Sequence, residues 1–167
     1  EDLIKKRTTN LTQPQMAKKI ESRSIKEFPD GIVEYGSDSL RFTFCALATT
    51  GRDVRFDVAR IEGYRNFCNK LWNVAKFALS NTEDFAPGET VREAEVSDPI
   101  NRWIADRTSH VIHSCRKALE EYRFDLYANH IYEFAWHEYC DWYIEMIKPN
   151  FWGDAEASER RRETQQT

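Results

Sequence analysis

Six side chains with nucleotide-binding chemistry recur along one stretch of this chain: Arg65, Asn66, Asn69, Lys70, Asn73 and Lys76. At helical spacing they fill one arc, and Ile61, Tyr64, Cys68, Leu71, Ala75 and Ala78 recur on the other. Cations neutralise phosphates, carboxamides bond to base edges and rings stack on base faces, so such an arc suits a phosphodiester strand with unstacked bases. Just upstream, Arg52 and Arg55 sit in a short connection where cations meet phosphates beside the positive end of a helix. Residue types alone leave plainer alternatives open. A solvated helix face is the commoner source of a polar arc, and Arg52 and Arg55 pair equally well with Asp53 and Asp57 at a surface.

Other chemistries find less support. His110 and His113 are neighbours on one helical pattern, and His130 and His137 share a face of another. A metal needs three or four converging ligands, and no further motif supplies them, so hydrogen-bonded, partly buried imidazoles are expected. Glu120 with Glu121, and Asp141 with Glu145, resemble acid pairs only superficially; Asp141 is expected to bond Arg or Trp partners inside the fold. Lys148, beside Pro149, is placed to bond the last carbonyls of a helix. No glycine-rich loop precedes a helix, so nothing here cradles a nucleotide triphosphate.

The elements that must position these residues are helices. In 167 residues there are 6 Gly and 5 Pro, with 41% hydrophobic and 31% charged residues, a balance that favours helices on short connections and allows one sizeable core. The formal net charge of −4 argues against a surface that clamps nucleic acid on all sides, leaving only a locally basic face. Cys45, Cys68, Cys115 and Cys140 are far apart and each falls in a helical pattern, so buried reduced thiols are expected. No leader or bilayer-length apolar run is present, which points to a cytoplasmic protein with no membrane partner. Neither end carries a natural terminus signal, so an excised piece is expected, monomeric but prone to non-native self-association through uncovered apolar surface.

A first helix is expected from Thr12, with Pro14 in its first turn, to Glu27, stopped by Pro29-Asp30-Gly31. Ser37 caps a second, carrying Leu40, Phe42, Phe44, Cys45 and Leu47 to Gly51. Asp57 caps the long third, reaching Asn81, and 81–97 reads as a surface loop. Ser97 or Asp98 caps a fourth with Pro99 in its first turn, buried along Ile100, Ile104, Val111, Cys115, Ala118 and Tyr122. After the corner Arg123-Phe124-Asp125, Asp125 caps a fifth that runs to Lys148-Pro149 and is aromatic nearly all round, hence central. A sixth begins near Ala155.

Several strings in this order carry a family resemblance: Tyr35 to Phe42, Arg52 to Asp57, Arg65 to Trp72, Phe77, and Cys140-Asp141-Trp142-Tyr143. Together they resemble the anticodon-binding region of class I valyl-tRNA synthetases. Lys6-Arg7-Thr8, Gln13-Pro14-Gln15 and Phe28 to Ile32 resemble an insertion found in many valyl enzymes. The resemblance implies an all-α helical bundle of the anticodon-binding type, truncated at both ends. Residues 1–36 would form a connecting segment at the end of the catalytic body, and 37–167 the anticodon-binding domain, incomplete at its C-terminus. It implies a tRNA-binding role for Arg52, Arg55, Arg65, Asn69, Lys70, Asn73 and Lys76, with Phe77 and Ile144 as surfaces for splayed bases. The implied partners are tRNA(Val) and the catalytic and C-terminal domains of the same enzyme, which esterifies valine to its tRNA with ATP and Mg2+. This piece has neither HIGH-type nor KMSKS-type box and therefore no cofactor or catalytic residue of its own. Alternatives are an isoleucyl- or leucyl-type relative, or a helical scaffold for protein partners.

Overall fold

Every regular element among the described residues of this computed structural model, 2–49, 57–83, 96–152 and 157–167, is helical. They divide into two units, 1–34 and 35–167. In the first, α1 (Asp2–Thr8) packs on α2 (Ala17–Glu27), which a single 3-10 turn, Pro14–Met16, precedes. Gln13 rather than Thr12 holds the cap position of that turn, and no side chain caps it. One polar contact joins the two helices, Arg7 Nη1 donating at 3.0 Å to the Oγ of buried Ser24, which itself donates to the Ile20 carbonyl one turn back on α2.

The second unit begins with α3 (Ser37–Leu47) packed against α4 (Val58–Asn81). Gly36, not Ser37, occupies the cap of α3, at φ 86°, a left-handed geometry that glycine adopts without a Cβ clash. The serine that matters is Ser39, buried and bonded through Oγ to the Tyr35 and Gly36 carbonyls. α4 starts as its sequence dictates, with the Asp57 carboxylate accepting from the Ala59 amide at 3.0 Å. Its buried stripe is rotated from the expected one. Ile61, Tyr64 and Phe67 lead inward, followed by Lys70, Val74 and Phe77, while Leu71 and Ala75 face solvent. Phe67 is the reason, because its ring takes the inner position among Phe42, Tyr132 and Trp136, at centroid distances of 5.2, 4.9 and 6.2 Å. Residues 50–56, with Arg52 and Arg55, lie outside the described residues, as do 84–95 of the expected surface loop.

Asp98 caps α5 (Pro99–Glu120) by accepting from the Ile100 amide, with Pro99 in the first turn. Ile104, Cys115 and Ala118 are buried as expected, but Tyr122 is 76% exposed. It lies past the helix end at φ 56°, where the Arg123 amide bonds back to the Ala118 carbonyl. Arg123 holds the cap position of α6 (Phe124–Glu133) without a side-chain cap bond. Asp125, expected there, instead accepts two bonds from the Arg123 guanidinium, at 2.8 and 2.7 Å.

Beyond α6 the helix widens. Residues Phe134–Tyr143 form a π-helical segment, continued by α7 (Ile144–Ile147) and a 3-10 turn, Lys148–Phe151. The Ile144 amide bonds the Tyr139 carbonyl five residues back. Bonding at that interval turns each residue through a smaller angle than an α-helix does, so the faces drift. Tyr143 and Cys140 turn inward, and Trp142 turns out to 64% exposure, against the expectation that the aromatic helix is enclosed on all sides. Phe44 and Cys45 on α3 are likewise exposed, so of the four thiols only Cys115 and Cys140 are buried.

The core sits where α4, α5 and α7 meet: Ile104, Tyr143, Ile144 and Ile147, with Val74, Phe77, Trp103 and Phe151 packed around them. Burying such side chains contributes about 1.5–3 kcal/mol each. Beside it lies a polar hub. Asn101, fully buried, accepts from Tyr143 Oη at 3.0 Å and donates to Glu163 Oε1 and Thr164 Oγ1, both on α8 (Ala157–Gln166). Glu163 also accepts from the Asp98 amide at the start of α5, where the helix end favours an anion. Burial pushes the Glu163 carboxyl up, but bonds from Ser97, Asp98 and Asn101 outweigh it and hold it below its ordinary value.

Asn101→Ala strands the Tyr143 hydroxyl and part of the Glu163 carboxylate, each at about 1–3 kcal/mol. Urea unfolding should register a loss of roughly 2–4 kcal/mol; a loss under about 0.5 kcal/mol would refute the hub. Tyr122→Gly relieves a left-handed tyrosine that packs on little, and should be neutral to about 1 kcal/mol stabilising by the same measurement.

Candidate nucleic-acid interface

α4 and the π-helical segment with α7 run side by side and leave a groove of about 500 Å³ between them. Val74, Phe77, Cys140 and Ile144 supply its apolar lining, and Asn66, Asn69 and Asn73 stand on the α4 side. Phe77 is half-buried, its ring edge-on to Phe151 at 6.0 Å. Ile144 is 5% exposed, anchored in the core and offering only its rim to the groove. Burial pushes the Cys140 thiol up, so it stays protonated and acts as apolar lining.

Charge enters in two pairs. Lys70 donates across the groove to Asp141, and its ammonium lies 4.3 Å from the centre of the Trp136 ring. Asp141 also meets His137 Nδ1 at 3.3 Å. Its partners are thus a lysine and a histidine at a half-exposed site, not the Arg or Trp expected inside the fold. The Lys70 bond, against a smaller opposing effect of burial and with help from His137, holds the Asp141 carboxyl below its ordinary value. Lys148 donates to Glu145 at 2.5 Å, and not to helix-end carbonyls.

Of the side chains singled out from the sequence, Asn69, Lys70, Asn73, Phe77 and Ile144 come together in this groove. Arg65 and Lys76 do not line it. Both are exposed on α4, and Lys76 lies 5.5 Å over the ring of exposed Trp72. Asn66, a member of the polar arc on α4, lines the groove too, and so do Asp141 and Glu145, which nothing in the sequence assigns to it. Lys70 and Asp141 are 71 residues apart, so only the fold could pair them. Among the described residues no cluster of His, Cys, Asp and Glu could hold a metal, and no helix is long and apolar enough to cross a membrane.

Carboxamides and paired charges thus surround an apolar cleft on a frame that is helical among the described residues, a combination that single-stranded nucleic-acid readers also use. Residues 101–167, from α5 to α8, match the family model of the anticodon-binding domain of tRNA ligase. The chain is 48% identical over 171 aligned positions to the valine–tRNA ligases of Legionella pneumophila strains Lens, Paris and Philadelphia 1, covering 100% of this chain and 18% of each relative. Over its whole length the chain is similar to a segment of valyl-tRNA synthetases, and its C-terminal part matches the anticodon-binding domain. It spans under a fifth of the length of the curated relatives it matches, 18%.

The lowered Asp141 carboxyl gives the groove an acid limit. The pair's contribution is present above the ordinary aspartate value of 3.8 and is lost as pH falls through the lowered one. In an NMR titration Lys70→Met should bring Asp141 back up towards 3.8; a titration that does not move would mean Lys70 is not its main partner.

Proposed function

We propose that the groove between α4 and α7 receives unstacked anticodon bases of tRNA(Val), and that the chain serves as the anticodon-recognition part of a cytoplasmic valine–tRNA ligase. The observation that carries this is the convergence of Asn69, Asn73, Lys70, Phe77 and Ile144 on one groove from two helices. The exposed part of Phe77, with Val74 and the rim of Ile144, offers a base face somewhere to pack. The asparagines present both a donor and an acceptor to a base edge. Arg65 and Lys76, exposed on α4 outside the groove, are suited to phosphates on either side of a lodged base. Arg52 and Arg55 would extend that phosphate track from the connection before α4.

The catalytic step belongs to the longer protein. There ATP and Mg2+ would activate valine, and this chain would hold the tRNA so that its distant acceptor end meets the activated amino acid. The working partners are therefore tRNA(Val) and the catalytic and C-terminal domains of one monomeric enzyme. Valyl rather than isoleucyl or leucyl specificity is supported by the 48% identity to valine–tRNA ligases across the whole chain.

Binding of full-length protein to tRNA(Val) should weaken about tenfold or more when Asn69 and Asn73 are both changed to Ala, the effect of removing one or two base-edge pairings. Changing Arg52 and Arg55 to Gln should instead flatten the dependence of log affinity on log salt, by about one unit for each phosphate they neutralise. Equal affinity for anticodon-altered tRNA would overturn the proposal, and an unchanged salt slope would reject the phosphate role of the two arginines.

A further inference from the structure

The first unit, 1–34, carries a charge pattern of its own. From Lys5 to Lys26 there are seven Lys and Arg against one acid, Glu21, in a chain whose formal net charge is −4. All seven cations are exposed. On α2, Lys19, Arg23 and Lys26 recur at intervals of four and three residues, which puts them on one face, turned away from the buried Ser24 that bonds α1. That row covers about 10 Å of helix, at about 1.5 Å per residue. Like charges at such intervals repel and weaken a helix, and neither α1 nor α2 has an apolar side chain among its buried residues to offset this. The cluster works against the local fold rather than for it.

Ion pairing separates the two units. In 35–167, Lys70 is tied to Asp141, Arg107 to Glu138, Arg123 to Asp125 and Lys148 to Glu145. In the first unit Arg23 meets Glu27 at 3.8 Å, but the two side chains are 73% and 45% exposed, and such a contact holds little. Among the described residues no carboxylate lies within 4.0 Å of the ammonium of Lys5, Lys6, Lys18, Lys19 or Lys26. The match to the anticodon-binding family begins at residue 101 and assigns nothing to these residues.

A row of open cations complements a chain of phosphates, because each neutralises one and releases its counterions without any base being read. A single phosphate would call for donors converging on one point, whereas these are spread along two helices. A membrane surface fits less well. A helix that lies in a lipid interface sets bulky apolar side chains against its basic face, and α2 contains no Leu, Phe, Trp or Tyr.

We propose that α1 and α2 form a separate RNA-contacting surface, on which Lys19, Arg23 and Lys26 hold the phosphodiester backbone of the tRNA without reading its sequence. This rests on tRNA being the ligand, as read above, and is independent of where anticodon bases lodge.

The test compares salt titrations of tRNA(Val) binding by the full-length protein with and without the joint changes Lys19→Gln, Arg23→Gln and Lys26→Gln. Glutamine has nearly the helix propensity of the residues it replaces, so α2 should persist. The slope of log affinity against log salt should flatten by about two units, at about 0.7–0.9 per phosphate, and affinity at moderate salt should fall about tenfold or more. Preference for the cognate over an anticodon-altered tRNA should stay the same, and the charge-keeping changes Lys19→Arg, Arg23→Lys and Lys26→Arg should leave the slope where it was. An unmoved slope in the glutamine variant, or a slope that flattens equally in the charge-keeping one, overturns the proposal and leaves the anticodon reading standing. A flattened slope in a protein that binds every anticodon alike upholds the proposal and overturns that reading instead. If the glutamine variant loses binding to vesicles of phosphatidylserine and phosphatidylcholine while its tRNA slope holds, the face meets lipid and the proposal fails.

Discussion

A carboxamide with no exposure to solvent has to find its hydrogen bonds inside the protein, and Asn101 is such a group. Its three bonds reach Tyr143 at the end of the π-helical segment and Glu163 and Thr164 on α8. One buried side chain thereby fixes two elements, the π-helical segment and α8, against the start of α5. Tyr143 precedes Ile144, so the hub also sets the azimuth at which α7 faces α4. The groove has one wall held by this polar lock and the other by the aromatic cluster around Phe67.

On the proposed reading, that division of labour would let a chain with a net charge of −4 carry a nucleic-acid surface. The lining charges pair off inside the groove, and the cations outside it, Arg65 and Lys76, stand on the solvent face of the same helix. On the proposed reading, long-range attraction to phosphate and short-range selection of a base would fall to different faces of α4. Only the first is screened strongly by salt. A groove neutral in itself would select a ligand by hydrogen-bond geometry rather than by net charge.

Much of the frame was legible in the sequence because local rules wrote it. Asp57 and Asp98 cap α4 and α5 through their own carboxylates, Pro99 sits in the first turn, and α4 ends at Asn81 as its pattern indicates. The failures came where tertiary packing chose among locally equal options. Phe67 and Cys68 are adjacent, and periodicity could not say which would point inward; the aromatic cluster chose Phe67 and turned Leu71 out. The shift to i→i+5 bonding after Glu133 has no simple residue signal, so Trp142 was expected inside and Tyr143 was not distinguished from it. Asp125 follows every cap rule but is claimed by the Arg123 guanidinium. At the groove, the residues named from resemblance and helical phase, Asn69, Lys70, Asn73, Phe77 and Ile144, lie together. Their counterparts Asp141 and Glu145 were invisible as groove residues, because only the folded chain brings the two walls face to face.

The central claim is that an unstacked base occupies the groove between α4 and α7. Intermolecular NOEs between an isotope-labelled anticodon stem-loop and the protein would test it most directly. The account predicts contacts from base protons of the loop to the Phe77 ring and the Val74 and Ile144 methyl groups. Contacts confined to the other cleft of similar size, lined by Ala46, Tyr64, Leu126 and Tyr132, with none to Phe77 or Val74, would contradict it.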